Sequence, residues 1–230
     1  MTQDEAKRLA AKRAAEFVRD GMVVGLGTGT TASMFIRALA ARALKVRCVA
    51  SSEASHQLAV SLGLDVRTLE ELPELDVYID GADEVCAKDG AINLGRIDLI
   101  KGGGGALLRE KICASAAREF LVVADSTKLV DVLGKFPLPV EVIQMALPVV
   151  EPRLKELGLN PKLRQKKDGA GVFITDEGDV ILDCAAGRID DPETLAAELK
   201  SIVGVVEHGL FLGMATAALI AGDDGVKEYK

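Results

Sequence analysis

The sequence predicts an α/β fold, a mainly parallel sheet with helices on both faces, followed by a smaller α+β domain. Three observations predict it. Short apolar strands alternate with amphipathic helices as far as Lys128, an order that implies right-handed crossovers and parallel pairing. Beyond that point the order becomes strand–helix–strand–strand–helix–strand, the pattern of a ferredoxin-like α+β unit. Finally, two glycine-rich turns and one acidic turn follow apolar strands, at the ends where open parallel sheets hold their ligands.

The elements follow in order. Thr2-Gln3-Asp4-Glu5 is a capping-box pattern that opens a charged helix over 4–19. Leu9, Arg13 and Phe17 with Ala10 and Ala14 give that helix its apolar stripe, and Gly21 ends it. A short buried strand at 22–24 leads into the first glycine turn. The next helix runs from Thr31 with Phe35, Ile36, Leu39 and Ala40 inward. Strand 46–50, helix 55–62 closed by Gly63, and strands 64–66 and 77–79 come next. Strand 97–100, helix 106–117 and strand 120–124 complete the parallel series. Gly134-Lys135-Phe136-Pro137-Leu138-Pro139 reads as a connector. Beyond it lie strand 140–145, helix 149–157, a strand near Leu163, and a hairpin of 171–175 with 179–184 turning at Glu177-Gly178. Asp191-Pro192-Glu193 starts a helix, with proline at the first helical position, and 203–207 is the last strand. The tail from Gly209, carrying Phe211, Leu212, Leu219 and Ile220, is expected to return to the first domain. The expected division is therefore 1–134 completed by 208–230, with 135–207 as the smaller domain.

Composition narrows the function. With 49% apolar and 27% charged residues the chain is ordinary for a soluble protein with an ample core. A net charge of −7 and only 3% aromatic residues argue against a nucleic-acid partner. Charged residues interrupt every apolar run, so no membrane span is expected. The N-terminal helix lacks the apolar stretch of a signal peptide. Cys48, Cys86, Cys113 and Cys184 show no Cys-x-x-Cys spacing and read as reduced cytoplasmic thiols. His56 and His208 are the only histidines, which excludes a histidine-rich metal centre. Both read as surface or capping residues.

Four motifs carry chemistry. Gly25-Leu26-Gly27-Thr28-Gly29-Thr30-Thr31 is not the dinucleotide fingerprint, whose third glycine would fall at Thr30. Its threonines add hydroxyls to backbone donors at a helix start, a combination suited to a compact phosphate or to sugar hydroxyls. Asp80-Gly81-Ala82-Asp83-Glu84 pairs two carboxylates at a strand end. Ordinary turn chemistry explains such residues too, but their position favours function, with Glu84 solvated. Lys101-Gly102-Gly103-Gly104-Gly105 costs conformational entropy and gives no packing, so it reads as a backbone cradle beside a cation. Glu110 shares a helix face with Ala106, Leu107, Cys113, Ala114 and Ala117. Two readings of it stand level: a desolvated base poised for neutral pH, or a carboxylate favoured by the helix dipole. Lys128, at another strand end, is a phosphate contact or a surface lysine.

Together these segments resemble the A-type ribose-5-phosphate isomerase family. The matching stretches are the turn from Gly25 to Ala32, Asp80-Gly81-Ala82-Asp83-Glu84, IKGGGGALLREK from Ile100, and LGKFPLPVEV from Leu133, with the start at Met1 to Glu5 and Gly209-Leu210-Phe211 near the end. The resemblance spans essentially the whole chain. It implies a Rossmann-like domain joined to an α+β domain, assembled as a homodimer or homotetramer. It implies interconversion of ribose 5-phosphate and ribulose 5-phosphate in the non-oxidative pentose phosphate pathway, without metal or organic cofactor. Glu110 would then be the base moving a proton between C1 and C2. Asp80 and Asp83 would lie near the sugar hydroxyls and ring oxygen, with Lys101 as their cationic partner. Thr28, Gly29, Thr30, Thr31, Gly81, Ala82, Gly102, Gly103, Gly104 and Lys128 would surround the substrate. One departure is visible: residues 85–99 form a connection several residues longer than the family's usual one, expected as an outward loop around 88–96. A non-catalytic sugar-phosphate sensor and a coenzyme A transferase are the rival readings. The first lacks a basic helix-turn-helix before Gly21, and the second would form a covalent thioester on a glutamate.

Overall fold

The computed structural model describes residues 1–87 and 95–230. From the N-terminus come α1 (Gln3–Ala15), β1 (Val23–Leu26), α2 (Thr30–Ala41), β2 (Arg47–Ala50), α3 (Glu53–Ser61), β3 (Asp65–Arg67) and β4 (Leu75–Asp80). Next are β5 (Glu84–Ala87), β6 (Ile97–Ile100), α4 (Leu107–Ser115) and β7 (Ala117–Asp125). The following stretch holds β8 (Leu138–Val142), α5 (Leu147–Glu156), β9 (Pro161–Leu163), β10 (Val180–Cys184), α6 (Pro192–Ser201) and β11 (Val205–His208). β12 (Leu210–Ala215), β13 (Ala217–Gly222) and β14 (Gly225–Tyr229) close the chain.

The main sheet has the order β14–β13–β7–β4–β1–β2–β3. All its pairings are parallel except the edge pair of β13 with β14. The chain builds outward from β1 through β2 to β3, then returns to β4 on the other side of β1. That reversal opens a crevice beyond the carboxyl ends of β1 and β4. Both the first glycine turn and the acidic turn leave the sheet there.

Alternation along the strands divides the core. Val24, Leu26, Val77, Ile79, Leu121 and Val123 face α1 and α2. Tyr78, Phe120, Val122 and Ile220 face the other way. The capping box of α1 forms as expected: Glu5 N–H donates to Thr2 Oγ1 (3.2 Å) and Thr2 N–H to Glu5 Oε2 (2.7 Å). The buried face of α1 is alanine, however, at Ala6, Ala10, Ala11, Ala14 and Ala15, while Leu9 is exposed. The helix also ends at Ala15, short of Gly21. Small side chains let it lie close on the sheet, a packing constraint that a count of large apolar residues misses.

The second face is covered by α4 together with a three-stranded antiparallel sheet, β12–β6–β5. Strand 97–100 therefore lies outside the parallel series in which the sequence reading placed it. A four-residue run buried throughout carries no signal of its partners. The tail returns as expected, β12 pairing with β6 and β13 with β7. β5 and β6 pair antiparallel as far as Ala87 opposite Ile97. The long connection thus joins a hairpin; its expected outward loop falls largely on 88–94, outside the described residues.

The four-stranded antiparallel sheet has the order β11–β8–β10–β9, which fits the expected element sequence. Its hairpin differs: 171–175 forms only single bridges, Gln165 with Val172 and Ile174 with Val180. Its core residues Leu138, Val140 and Leu182 share one cluster with Ile100 and Leu210 of the three-stranded sheet.

Two polar expectations are corrected. Glu84 is 2% exposed rather than solvated. It accepts from the amides of Gly134 (2.7 Å) and Phe136 (2.5 Å), anchoring the connector that leads into β8. His208 is buried rather than at the surface, with Nδ1 accepting from Leu210 N–H (3.3 Å). Burial and the neighbouring Lys111 push its pKa down. Glu84→Ala leaves a buried amide (Gly134) and a half-buried one (Phe136) without their acceptor, so unfolding in urea should show a loss of about 2–4 kcal/mol. Unchanged stability would refute the anchoring role.

Candidate active site

The first turn is held from below. A Cβ at Gly27 would sit 2.1 Å from Asp80 Oδ1, so only glycine allows the turn this close to β4. Ser55 Oγ donates to the Gly27 carbonyl (2.6 Å) and Ser51 Oγ to that of Leu26 (3.1 Å). Thr28 Oγ1 lies 3.0 Å from Ser51 Oγ. The sequence reading missed these serines, because serine before a helix reads as a cap; Ser52 does cap α3. α2 starts at Gly29 with no side-chain cap. Its first amides are thus left for an external anion.

Asp80 is fully buried at the end of β4. Oδ1 accepts from the amides of Thr28 (3.0 Å) and Gly81 (2.7 Å), and Oδ2 from Tyr78 Oη (2.5 Å) and Lys101 Nζ (2.8 Å). Lys101 is 2% exposed, and its Nζ also donates to the Gly81 carbonyl (2.6 Å). Burial works against its charge, but Asp80 and Glu110 outweigh that and raise its pKa. Glu110, 3% exposed, brings Oε2 to 3.2 Å from Lys101 Nζ, yet that oxygen accepts no well-directed hydrogen bond. Burial pushes its pKa above the carboxylate range; Lys101 pulls it back only in part, and Asp80 adds to the rise.

The second turn completes the site. Gly103 N–H donates to Asp83 Oδ2 (2.7 Å), and a Cβ there would meet Asp83 Oδ1 at 2.6 Å. Thr28, Gly29, Thr30, Thr31, Gly81, Ala82, Asp83, Lys101, Gly102, Gly104, Glu110 and Lys128 all line one cleft. Asp80, fully buried, and Gly103 are not among the lining residues. Lys128 arrives on a short 3-10 turn, Ser126–Lys128, whose start is fixed by Thr127 N–H donating to Asp125 Oδ1 (3.1 Å). Lys7 of α1 lines the cleft as well and was missed. It is one of several basic residues on a charged helix, and nothing local distinguishes it. Among the described residues no group of three His, Cys, Asp or Glu side chains could hold a metal ion, and no helix is long and apolar enough to cross a membrane.

Uncapped helix amides and lysines beside a buried lysine–carboxylate set, at the switch point of a parallel sheet, define an α/β enzyme for an anionic small molecule. The chain belongs to the ribose 5-phosphate isomerase A (phosphoriboisomerase A) family, whose model matches residues 47–225. It is 48% identical to the ribose-5-phosphate isomerase A of Sinorhizobium fredii, over 99% of this chain and 98% of that one. With the Synechococcus enzyme of the same name it shares 48% identity, over 99% and 97%. The solved structure of ribose 5-phosphate isomerase A from Methanocaldococcus jannaschii covers both chains completely, with a TM-score of 0.91 and 41% identity. A D-ribose-5-phosphate isomerase solved in complex with phospho-erythronic acid gives a TM-score of 0.93 and 37% identity, again over both whole chains.

Gly27→Ala tests how tightly the turn and β4 are fitted. Its Cβ must displace Asp80, so a stability loss of at least about 1–3 kcal/mol is expected in denaturant unfolding. Wild-type stability would show that the approach is not constrained.

Proposed function

We propose that the chain interconverts D-ribose 5-phosphate and D-ribulose 5-phosphate through an enediolate, with Glu110 as the base. The observation that carries this reading is a buried carboxylate lining the cleft, with one oxygen free of any directed hydrogen bond and an ammonium 3.2 Å away. The phosphate lies against the amides and hydroxyls of 28–31, with Lys7 and Lys128 adding charge. Ring opening needs a proton relay at the anomeric oxygen. Asp83 supplies it with Lys101, because both oxygens of Asp80 are already covered by four donors.

Glu110 then takes the C2 proton, and charge grows on the oxygens at C1 and C2. Lys101 and the amides of the second turn stabilise that charge. Protonated Glu110 returns the proton to C1 while a proton passes from O2 to O1, which completes the aldose-to-ketose change. The proposed reaction includes no metal or organic cofactor. The proposal also takes in a place in the non-oxidative pentose phosphate pathway, a cytoplasmic location and a homodimer or homotetramer. The division into 1–134 with 208–230 and 135–207 belongs to the same proposal.

Glu110→Gln keeps size and polarity but removes the proton acceptor. Its kcat on ribose 5-phosphate should fall by about 10²–10⁴-fold, and exchange of the C2 proton with solvent deuterium should cease. A folded variant with near-normal kcat would refute the assignment.

The raised pKa of Glu110 also sets a pH limb. The base works ionised, so kcat/KM must fall as pH drops through that raised value. The acid limb should therefore lie above the ordinary glutamate value of about 4.3. A limb at or below that value in the wild-type pH profile would contradict a desolvated base.

A further inference from the structure

The run from Gly102 to Gly105 joins Lys101 to the helix carrying Glu110 and is braced within itself by one hydrogen bond, Gly105 N–H donating to the Gly102 carbonyl (3.0 Å). Arg164, just beyond β9, reaches across to it. Its Nη1 donates to the Gly102 carbonyl (2.8 Å) and lies 3.4 Å from that of Gly103. Nε donates to Asp183 Oδ2 (2.9 Å) and Nη2 to Asp183 Oδ1, a forked pairing that fixes the guanidinium plane. The backbone of Arg164 is pinned as well: its N–H donates to Ile181 O (2.9 Å) and its carbonyl accepts from Phe173 N–H (3.0 Å). The Phe173 ring, 5.9 Å from the guanidinium, fills the space where a Cβ on Gly105 would stand. The side chain of Arg164 is 12% exposed.

Peptide planarity gives these contacts their consequence. The carbonyl of one residue and the N–H of the next lie on opposite sides of one rigid trans unit. Holding the Gly102 carbonyl therefore turns the Gly103 N–H the other way, where it meets Asp83 Oδ2 at 2.7 Å. Holding the Gly103 carbonyl likewise turns the Gly104 N–H away from Arg164, on a residue that lines the cleft. We propose that Arg164, oriented by Asp183, is a positioning residue of the isomerase site, fixing two glycine peptides so that their amides face Asp83 and the substrate. The inference rests on the isomerase reading above. Lysine cannot replace arginine here, since one ammonium cannot span the Asp183 fork and two carbonyls.

The test compares wild type, Arg164→Ala, Arg164→Lys and Asp183→Asn on ribose 5-phosphate, with circular dichroism to confirm folding. Misplacing the turn by about an ångström should cost up to about 10²-fold in rate. Arg164→Ala should therefore lose at least about tenfold in kcat with a much smaller change in KM. Arg164→Lys should recover little, and a low, non-denaturing concentration of guanidinium should restore part of the kcat of Arg164→Ala. A wild-type kcat in Arg164→Ala, or a change confined to KM, would overturn the inference. If Arg164→Ala does not fold, Asp183→Asn decides: a fall in kcat supports the orienting pair, and unchanged kinetics overturn it. Failure of the wild-type chain to turn over ribose 5-phosphate would overturn the parent reading and this inference with it. Full wild-type turnover with unaffected variants would overturn this inference alone.

Discussion

One buried ammonium ties the site together. Among the described residues, Lys101 is the cation set between Asp80 and Glu110. Burying an unpaired charge costs several kcal/mol, and removing one partner of a buried pair typically costs about 3–5 kcal/mol. One cation cannot satisfy two carboxylates equally. Asp80 has four donors on its two oxygens. Glu110 has the ammonium nearby but no directed hydrogen bond at Oε2. Burial raises the pKa of Glu110, Lys101 pulls it back only in part, and Asp80 and Asp83 add to the rise.

That balance explains why the fold carries its additional sheet. The parallel sheet delivers Asp80 on β4, while Lys101 comes from β6, which belongs to the three-stranded antiparallel sheet. Lys101 N–H donates to the Gly209 carbonyl (2.9 Å), and Gly209 N–H to that of Pro139 (2.8 Å). The lysine's backbone is thereby fixed to the start of β12 and, through it, to β8. A lysine on a loop alone would pay side-chain entropy to stay between two carboxylates. Here the backbone is committed before the side chain reaches inward.

Much of this was legible in the sequence where local chemistry determines structure. Thr2 and Glu5 cap each other, the glycine turns fall at strand ends, and Glu110 sits among apolar neighbours. The pattern could show that Glu110 shares an apolar face; it left base and dipole readings level, and the contact with Lys101 and the lack of a directed hydrogen bond at Oε2 come from tertiary packing. Partners distant in sequence were not legible. Glu84 looked solvated because the amides it accepts from, Gly134 and Phe136, are about fifty residues away along the chain. Strand 97–100 looked parallel because a short buried run does not encode its neighbours. Lys7 and Arg164 carry no local mark at all, since each matters only through what it reaches.

The separation of charges across the cleft is the remaining constraint. A phosphate dianion close to Glu110 would raise the pKa of that base further, and a base that binds its proton too tightly is protonated at working pH. The positive elements that suit a phosphate, the uncapped start of α2 with Lys7 and Lys128, are drawn from elements other than those carrying Lys101 and Glu110. On the proposed reading, helix amides and lysines would neutralise the dianion there and so reduce its field at Glu110. If Glu110 is the base, it would then be dry enough to bind a proton strongly and still lose it near neutral pH. Both conditions would be met by the two short glycine turns, which stand at the ends of strands from two different sheets and line one cleft.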